Sequence, residues 1–150
     1  MRWRFMDRIN RFEAWATIEG RKAVSLEEYS LLEPFGRKGS LPENLVVESC
    51  VHLARWLVIV SSGFEQTCIL SAIDQFRFDR EPSAGNALTV LLKVTDRQDR
   101  DIHLACRVAI GSSVAAHGSL VVSLLPLNET VLAEDMRVLW QELRGKTPRT

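Results

Sequence analysis

The chain has 150 residues, 46% of them hydrophobic, which is enough for one domain with its own core. Nineteen basic and nineteen acidic residues cancel, so there is no electrostatic footprint for nucleic acid. Cys50, Cys68 and Cys106 are odd in number, widely spaced and set in apolar runs, the pattern of buried free thiols in a reducing compartment and not of a disulfide framework or a metal site.

The longest apolar run, Trp56 to Ser62, is too short to span a bilayer. Arg2, Arg4, Arg8 and Arg11 are interrupted by Asp7 and Glu13 with no Ser among them, which disfavours a transit peptide. These features predict a cytoplasmic protein without a membrane partner, metal or cofactor.

In chain order, Trp3 to Ile18 and Lys22 to Leu26 read as two strands turning at Glu19-Gly20. A loop from Tyr29 to Ser40 carries Pro34, Gly36 and Gly39. It leads into a helix from about Glu43 to Ser62 that opens after Pro42, is apolar almost all round, and stops at Gly63. Four extended segments follow: Cys68 to Asp79, Ala87 to Thr95, Ile102 to Ile110 and Val114 to Leu125. The third alternates cleanly, with Ile102, Leu104, Cys106, Val108 and Ile110 on one side. From Glu129 to Leu143, Leu132, Met136, Leu139 and Leu143 recur at helical spacing, an amphipathic helix for the surface or a partner. The chain divides into a main domain, 1–127, and a C-terminal helix and tail, 128–150. Periodicity alone gives an α+β protein with an antiparallel sheet.

Glu48 interrupts the first apolar stretch of the long helix, and an unpaired buried charge costs several kcal/mol, so it needs a partner or a task. His52 lies one turn on, so the two side chains share a face. Either they form a pair with a tuned pKa, or His52 is the hydrogen-bond partner that makes Glu48 tolerable. His103 and His117 read as solvated or structural, and Asp74 and Arg77 as a strand-face ion pair. Arg37 and Lys38 read as solvated loop cations, with phosphate capture as the alternative. Trp15, Trp56 and Trp140 read as core or interface fillers.

Three segments resemble one family. Trp3-Arg4-Phe5-Met6-Asp7-Arg8-Ile9 is similar to the F-L-L-V-D-R-V opening of the 3-hydroxyacyl-ACP dehydratases of fatty-acid synthesis (the FabZ/FabA type). Leu41-Pro42-Glu43-Asn44-Leu45-Val46-Val47-Glu48 resembles M-P-G-V-L-I-I-E. Ile73-Asp74-Gln75-Phe76-Arg77-Phe78 with Gly85-Asn86-Ala87-Leu88 resembles I-D-x-V-K-F with G-D-x-L. The matches fall in order over roughly residues 3 to 125. The resemblance implies a hotdog fold, a curled antiparallel sheet around a central helix.

It also implies an acyl thioester as ligand, carried by ACP or CoA, and a dimer. In the family a His takes the α-proton of a 3-hydroxyacyl thioester, and an acid fourteen positions later, from the other subunit, protonates the departing hydroxyl. Glu48 matches the acid, but the position fourteen before it is Pro34, which cannot move a proton. The resemblance places Glu48 in catalysis, with His52 as a substitute base, and Phe35, Gly36, Glu43 and Asn44 in substrate binding. Four readings follow: a divergent dehydratase homodimer, the Glu-donating half of a heterodimer with a His-bearing relative, a thioesterase that needs one carboxylate, or a non-catalytic acyl-carrier-binding subunit.

Overall fold

A helix that is apolar on nearly every face has to be enclosed, and the fold is built around that requirement. The computed structural model describes residues 6–24, 43–83, 85–127 and 133–145. The enclosed helix, α1, spans Glu43–Ser61 and buries ten residues, among them Val46, Cys50, Leu53, Leu57 and Val58. Six strands surround it: β1 (Arg8–Glu13), β2 (Thr17–Ala23), β3 (Gln66–Phe78), β4 (Ala87–Gln98), β5 (Asp101–Ile110) and β6 (Ser113–Pro126). A second helix, α2, spans Ala133–Leu143. The strands form a single antiparallel sheet in the order β1-β2-β4-β5-β6-β3.

Register puts apolar residues opposite one another on the inner face. Val90 faces Val108 and Leu92 faces Cys106 between β4 and β5. Leu104 faces Leu120 and Ile102 faces Val122 between β5 and β6. All eight are buried. This is the period-2 alternation of β5 read out in three dimensions, since successive side chains leave opposite faces of a strand.

α1 has the length and composition to cross a membrane, but here it is the packed axis of the sheet. It stops at Gly63, whose φ of 71° an L side chain rarely adopts. The Gly63 N–H donates to Val60 O and the Phe64 N–H to Ile59 O, which satisfies the last carbonyls of the helix in a Schellman motif.

The first hairpin differs from expectation. It turns at 14–16, where the Ala16 N–H donates to Glu13 O and Trp15 has a φ of 54°. Glu19 and Gly20 lie inside β2. Gly20 is small because α1 and the N-terminal segment approach it: an added Cβ would lie 2.7 Å from Met6 Sδ and 3.0 Å from Leu53 Cδ1. A glycine within a strand thus marks close packing and not a turn.

α2 lies against the body of the domain. Trp140 sits between Phe12 of β1, at a 5.3 Å edge-on contact, and Trp56 of α1, at 5.6 Å, while Leu143 is buried in the core. Met136 and Leu139 pack beside them, and Leu132 is outside the described residues.

Gly118 and Gly63 should respond differently to alanine. A Cβ on Gly118 would meet Phe76 Cδ2 at 2.5 Å and Phe76 Cα at 2.6 Å, so Gly118→Ala should cost up to about 3 kcal/mol through overpacking. Gly63 has nothing within 4 Å, so Gly63→Ala should cost only its left-handed backbone strain, about 1–2 kcal/mol. Urea midpoints in the reverse order would contradict the close seat of Phe76 on Gly118.

Candidate functional site

Most of α1 is sealed by the sheet, but one stripe is not. Leu45, Glu48, His52 and Arg55 recur at three- and four-residue intervals and are only half-buried, so they share one face of the helix. That stripe holds the acidic and basic side chains of the central helix beyond its first residue. Glu43 and Asn44, in the first turn, are exposed.

From the sheet a second cation faces inward. In β2, Ile18, Gly20 and Lys22 alternate with outward residues, and Lys22 is 1% exposed. Its ammonium lies close enough to His52 to act on it electrostatically. Sequence reading missed Lys22, although the alternation starting at Ile18 would have placed it inside once β2 was recognised as a strand through Gly20.

Burial drives the His52 pKa down from its ordinary 6.5 to about 4, and the positive charges of Arg55 and Lys22 push the same way. All three effects disfavour the imidazolium. At neutral pH His52 is therefore a neutral hydrogen-bonding group, and a base that holds a proton so weakly is mismatched to proton abstraction. The expected Glu48–His52 pair is not formed among the described residues, where Glu48 makes no hydrogen bond or ion pair. Half-exposure explains how this carboxylate is tolerated, since water solvates it in place of a partner. Such a carboxylate can give or take a proton.

Pro34, Phe35, Gly36, Arg37 and Lys38 lie outside the described residues. Asp74 and Arg77 are both exposed and form no ion pair with each other. A register shift lies between them and Gln75 has a φ of 48°, so a bulge separates the two. His117 is exposed, with Nε2 4.0 Å from Asp79 Oδ2, and His103 is half-buried on β5. The three cysteines are free and buried. Burial pushes the Cys68 thiol up to about 12, and a hydrogen bond with Cys106 together with burial raises Cys50. Thiols held protonated in this way are structural and not nucleophilic. Trp56 is buried, whereas Trp15 and Trp140 are half-buried, and Trp15 is covered by the Arg97 guanidinium at 4.1 Å.

No family model matches the chain. Its sequence is 26% identical over 117 residues to the 3-hydroxyacyl-[acyl-carrier-protein] dehydratase FabZ of Levilactobacillus brevis, across 77% of this chain and 79% of that protein. Its fold is similar to that of a hot-dog-like protein from Thermanaerovibrio acidaminovorans, with a TM-score of 0.65 and 12% identity over 85% of this chain and 91% of the other. It is also similar to a hypothetical thioesterase from Streptococcus pneumoniae solved with coenzyme A, with a TM-score of 0.63 and 7% identity over 80% and 86%. The chain is a divergent FabZ-like hotdog protein. Glu48 and Pro34 are the residues that the sequence resemblance sets against the acid and the histidine of the dehydratase motif.

The His52 environment has a consequence for stability. Its folded pKa is depressed, so between about pH 6.5 and 4 the unfolded chain binds the proton that the folded chain refuses. Stability is therefore complete above pH 6.5 and falls as the pH drops toward 4. The loss should be on the order of 2–3 kcal/mol. Urea unfolding at pH 7 and pH 4 should show a smaller drop in His52→Gln than in the parent protein. Equal drops would mean that His52 titrates normally in the folded state.

Proposed function

We propose that this protein acts on acyl thioesters as the acid-donating subunit of a mixed dehydratase-type dimer. The observation that carries the reading is an unmatched carboxylate. Glu48 is half-buried on the central helix and makes no hydrogen bond or ion pair among the described residues, while Pro34 stands at the position of the motif's histidine and His52, at about 4, is a poor base.

In the proposed reaction a base from the partner removes the α-proton of a 3-hydroxyacyl thioester. Glu48 in its protonated form gives its proton to the departing hydroxyl, and the products are the enoyl thioester and water. Protonation is what makes hydroxide an acceptable leaving group, and this step needs one carboxyl group and no base from this chain. The sequence similarity to FabZ supports this chemistry.

Pairing is supported by the far edge of the sheet. β3 is an edge strand, and Ile69 and Ile73 on it are 47% and 49% exposed. An unpaired edge with exposed apolar side chains is a liability that a two-fold partner removes. The bulges between Leu70 and Ala72 and between Asp74 and Arg77 bend this edge and restrict which partner fits it.

A second reading has its own support. A lone unengaged carboxylate suffices to activate water for thioester hydrolysis, and a hypothetical thioesterase shares the fold. The two readings separate by product. Dehydratase chemistry interconverts enoyl and 3-hydroxyacyl thioesters and keeps the thioester, whereas hydrolysis releases a free thiol.

The purified protein alone should hydrate an enoyl thioester slowly at best. Adding a His-bearing hotdog relative should raise the rate by about a hundred- to ten-thousand-fold, the usual worth of general base catalysis, and Glu48→Gln should abolish that gain while the protein stays folded. Fast hydration by the isolated protein, lost on His52→Ala, would defeat the mixed-dimer reading, and thiol release that depends on Glu48 would replace it with hydrolysis. Light scattering should show a dimer at micromolar concentration and a monomer for the Ile69→Asp, Ile73→Asp double variant. A monomeric parent protein would remove the shared site.

A further inference from the structure

Outside the α1 stripe, three arginines from distant parts of the chain converge on one cleft. Arg8 of β1, Arg21 of β2 and Arg144, just after α2, line a cavity of about 580 Å³ together with Asn10, Thr89 and Gly111. It lies on the outer face of the sheet. Arg21 is exposed between the inward-facing Gly20 and Lys22, and exposed Arg8 precedes buried Ile9. The cleft is thus on the other side of the sheet from Glu48 and His52.

The charges are arranged against one another. Arg8 and Arg21 are direct cross-strand partners, and Arg21 is opposite Thr89 on the next strand. Like charges opposed in this way destabilise a sheet. Among the described residues no carboxylate forms an ion pair with any of the three arginines. Glu19, further along the same face of β2, is reached instead by Asn10 Nδ2 at 3.4 Å.

Two of the arginines are held in place. A Cβ on Gly145 would lie 2.9 Å from Arg8 Nη2, so that guanidinium rests on the C-terminal end of α2, where the helix dipole favours a cation. Arg144 lies over the Trp140 ring at 5.6 Å, and its Nη1 is closed off from solvent without a hydrogen-bond acceptor among the described residues. Shielded donors of this kind are rare in folded proteins unless an acceptor completes them.

We propose that this cleft binds a small anion with two phosphoryl groups, either free pyrophosphate or the diphosphate of a nucleotide, held by Arg8, Arg21 and Arg144. Guanidinium forks match phosphate oxygens two at a time, and a diphosphate offers two such groups, whose charge three guanidinium ions spread along one concavity would offset. The volume falls within the range of small-ligand pockets, about 300–1,000 Å³. The site is independent of the thioester reading, because it shares no residue with the α1 stripe.

The test is titration calorimetry of the full chain with inorganic pyrophosphate, ADP and orthophosphate at physiological ionic strength. Saturable binding of pyrophosphate or ADP is expected, at least tenfold tighter than orthophosphate. Arg21→Gln and Arg144→Gln should each weaken it at least tenfold, while Arg137→Gln, an exposed position that stacks on Phe64, should bind like the parent. ADP binding more tightly than pyrophosphate would identify the nucleotide as the ligand, and equal affinity the free anion. Arg21 is exposed on the sheet surface, so its variant should fold and keep the test decisive. Equal affinity for pyrophosphate and orthophosphate, or pyrophosphate binding unchanged in Arg21→Gln, would overturn the proposal.

Discussion

Enclosing an apolar helix within a curled sheet is the constraint on which the rest of this structure depends. Every side of α1 that the sheet reaches must be apolar, because an unpaired charge there would lose its hydration without compensation. Beyond its first turn, the acidic and basic residues of the helix are therefore confined to its half-buried strip, and Glu48, His52 and Arg55 occupy it. The same geometry forces Gly20 to be small, since the helix and the N-terminal segment press on β2 there. It also explains why Gly63 must end the helix, so that the chain can reverse into β3.

Electrostatics within this enclosure separates the two candidate groups that sequence spacing had joined. Lys22 from the sheet and Arg55 from the helix surround His52 with positive charge in a poorly hydrated region. The histidine is kept neutral, which suits hydrogen bonding and works against proton transfer. Glu48, a turn closer to the N-terminus and likewise half-buried, makes no hydrogen bond or ion pair with it among the described residues. One helix face thus carries a half-buried carboxylate and an imidazole held neutral. The proposed mixed dimer rests on this division.

The outer face of the sheet follows a different logic. Side chains there are released from the packing constraint, so charge accumulates according to which segments the fold brings together. Arg8, Arg21 and Arg144 meet because β1 pairs with β2 and because α2 ends over β1. Trp140 anchors that end by wedging between Phe12 and Trp56. The C-terminal helix thereby connects the core to the cleft: its apolar side closes the body of the domain, and its last turn delivers a guanidinium to the surface.

Local periodicity and motif order were enough to identify the enclosed helix, the four later strands and the hotdog architecture, because each depends on residues near one another in the chain. Gly63 as a cap and the alternation of β5 belong to the same class, since backbone conformation and strand pleat are local properties. The first hairpin was misread because Gly20 serves as well for close packing as for a turn, and only the approach of Met6 and Leu53 tells the two apart. With that strand mislaid, inward-facing Lys22 was invisible, and so was the positive field that suppresses protonation of His52. The arginine cleft lay further out of reach, for Arg144 is more than a hundred residues from Arg8 and Arg21, and the three acquire a common meaning only when strand pairing and helix docking set them side by side. Burial, electrostatic environment and the meeting of distant side chains are properties of the packed chain, and they decided what its individual residues can do.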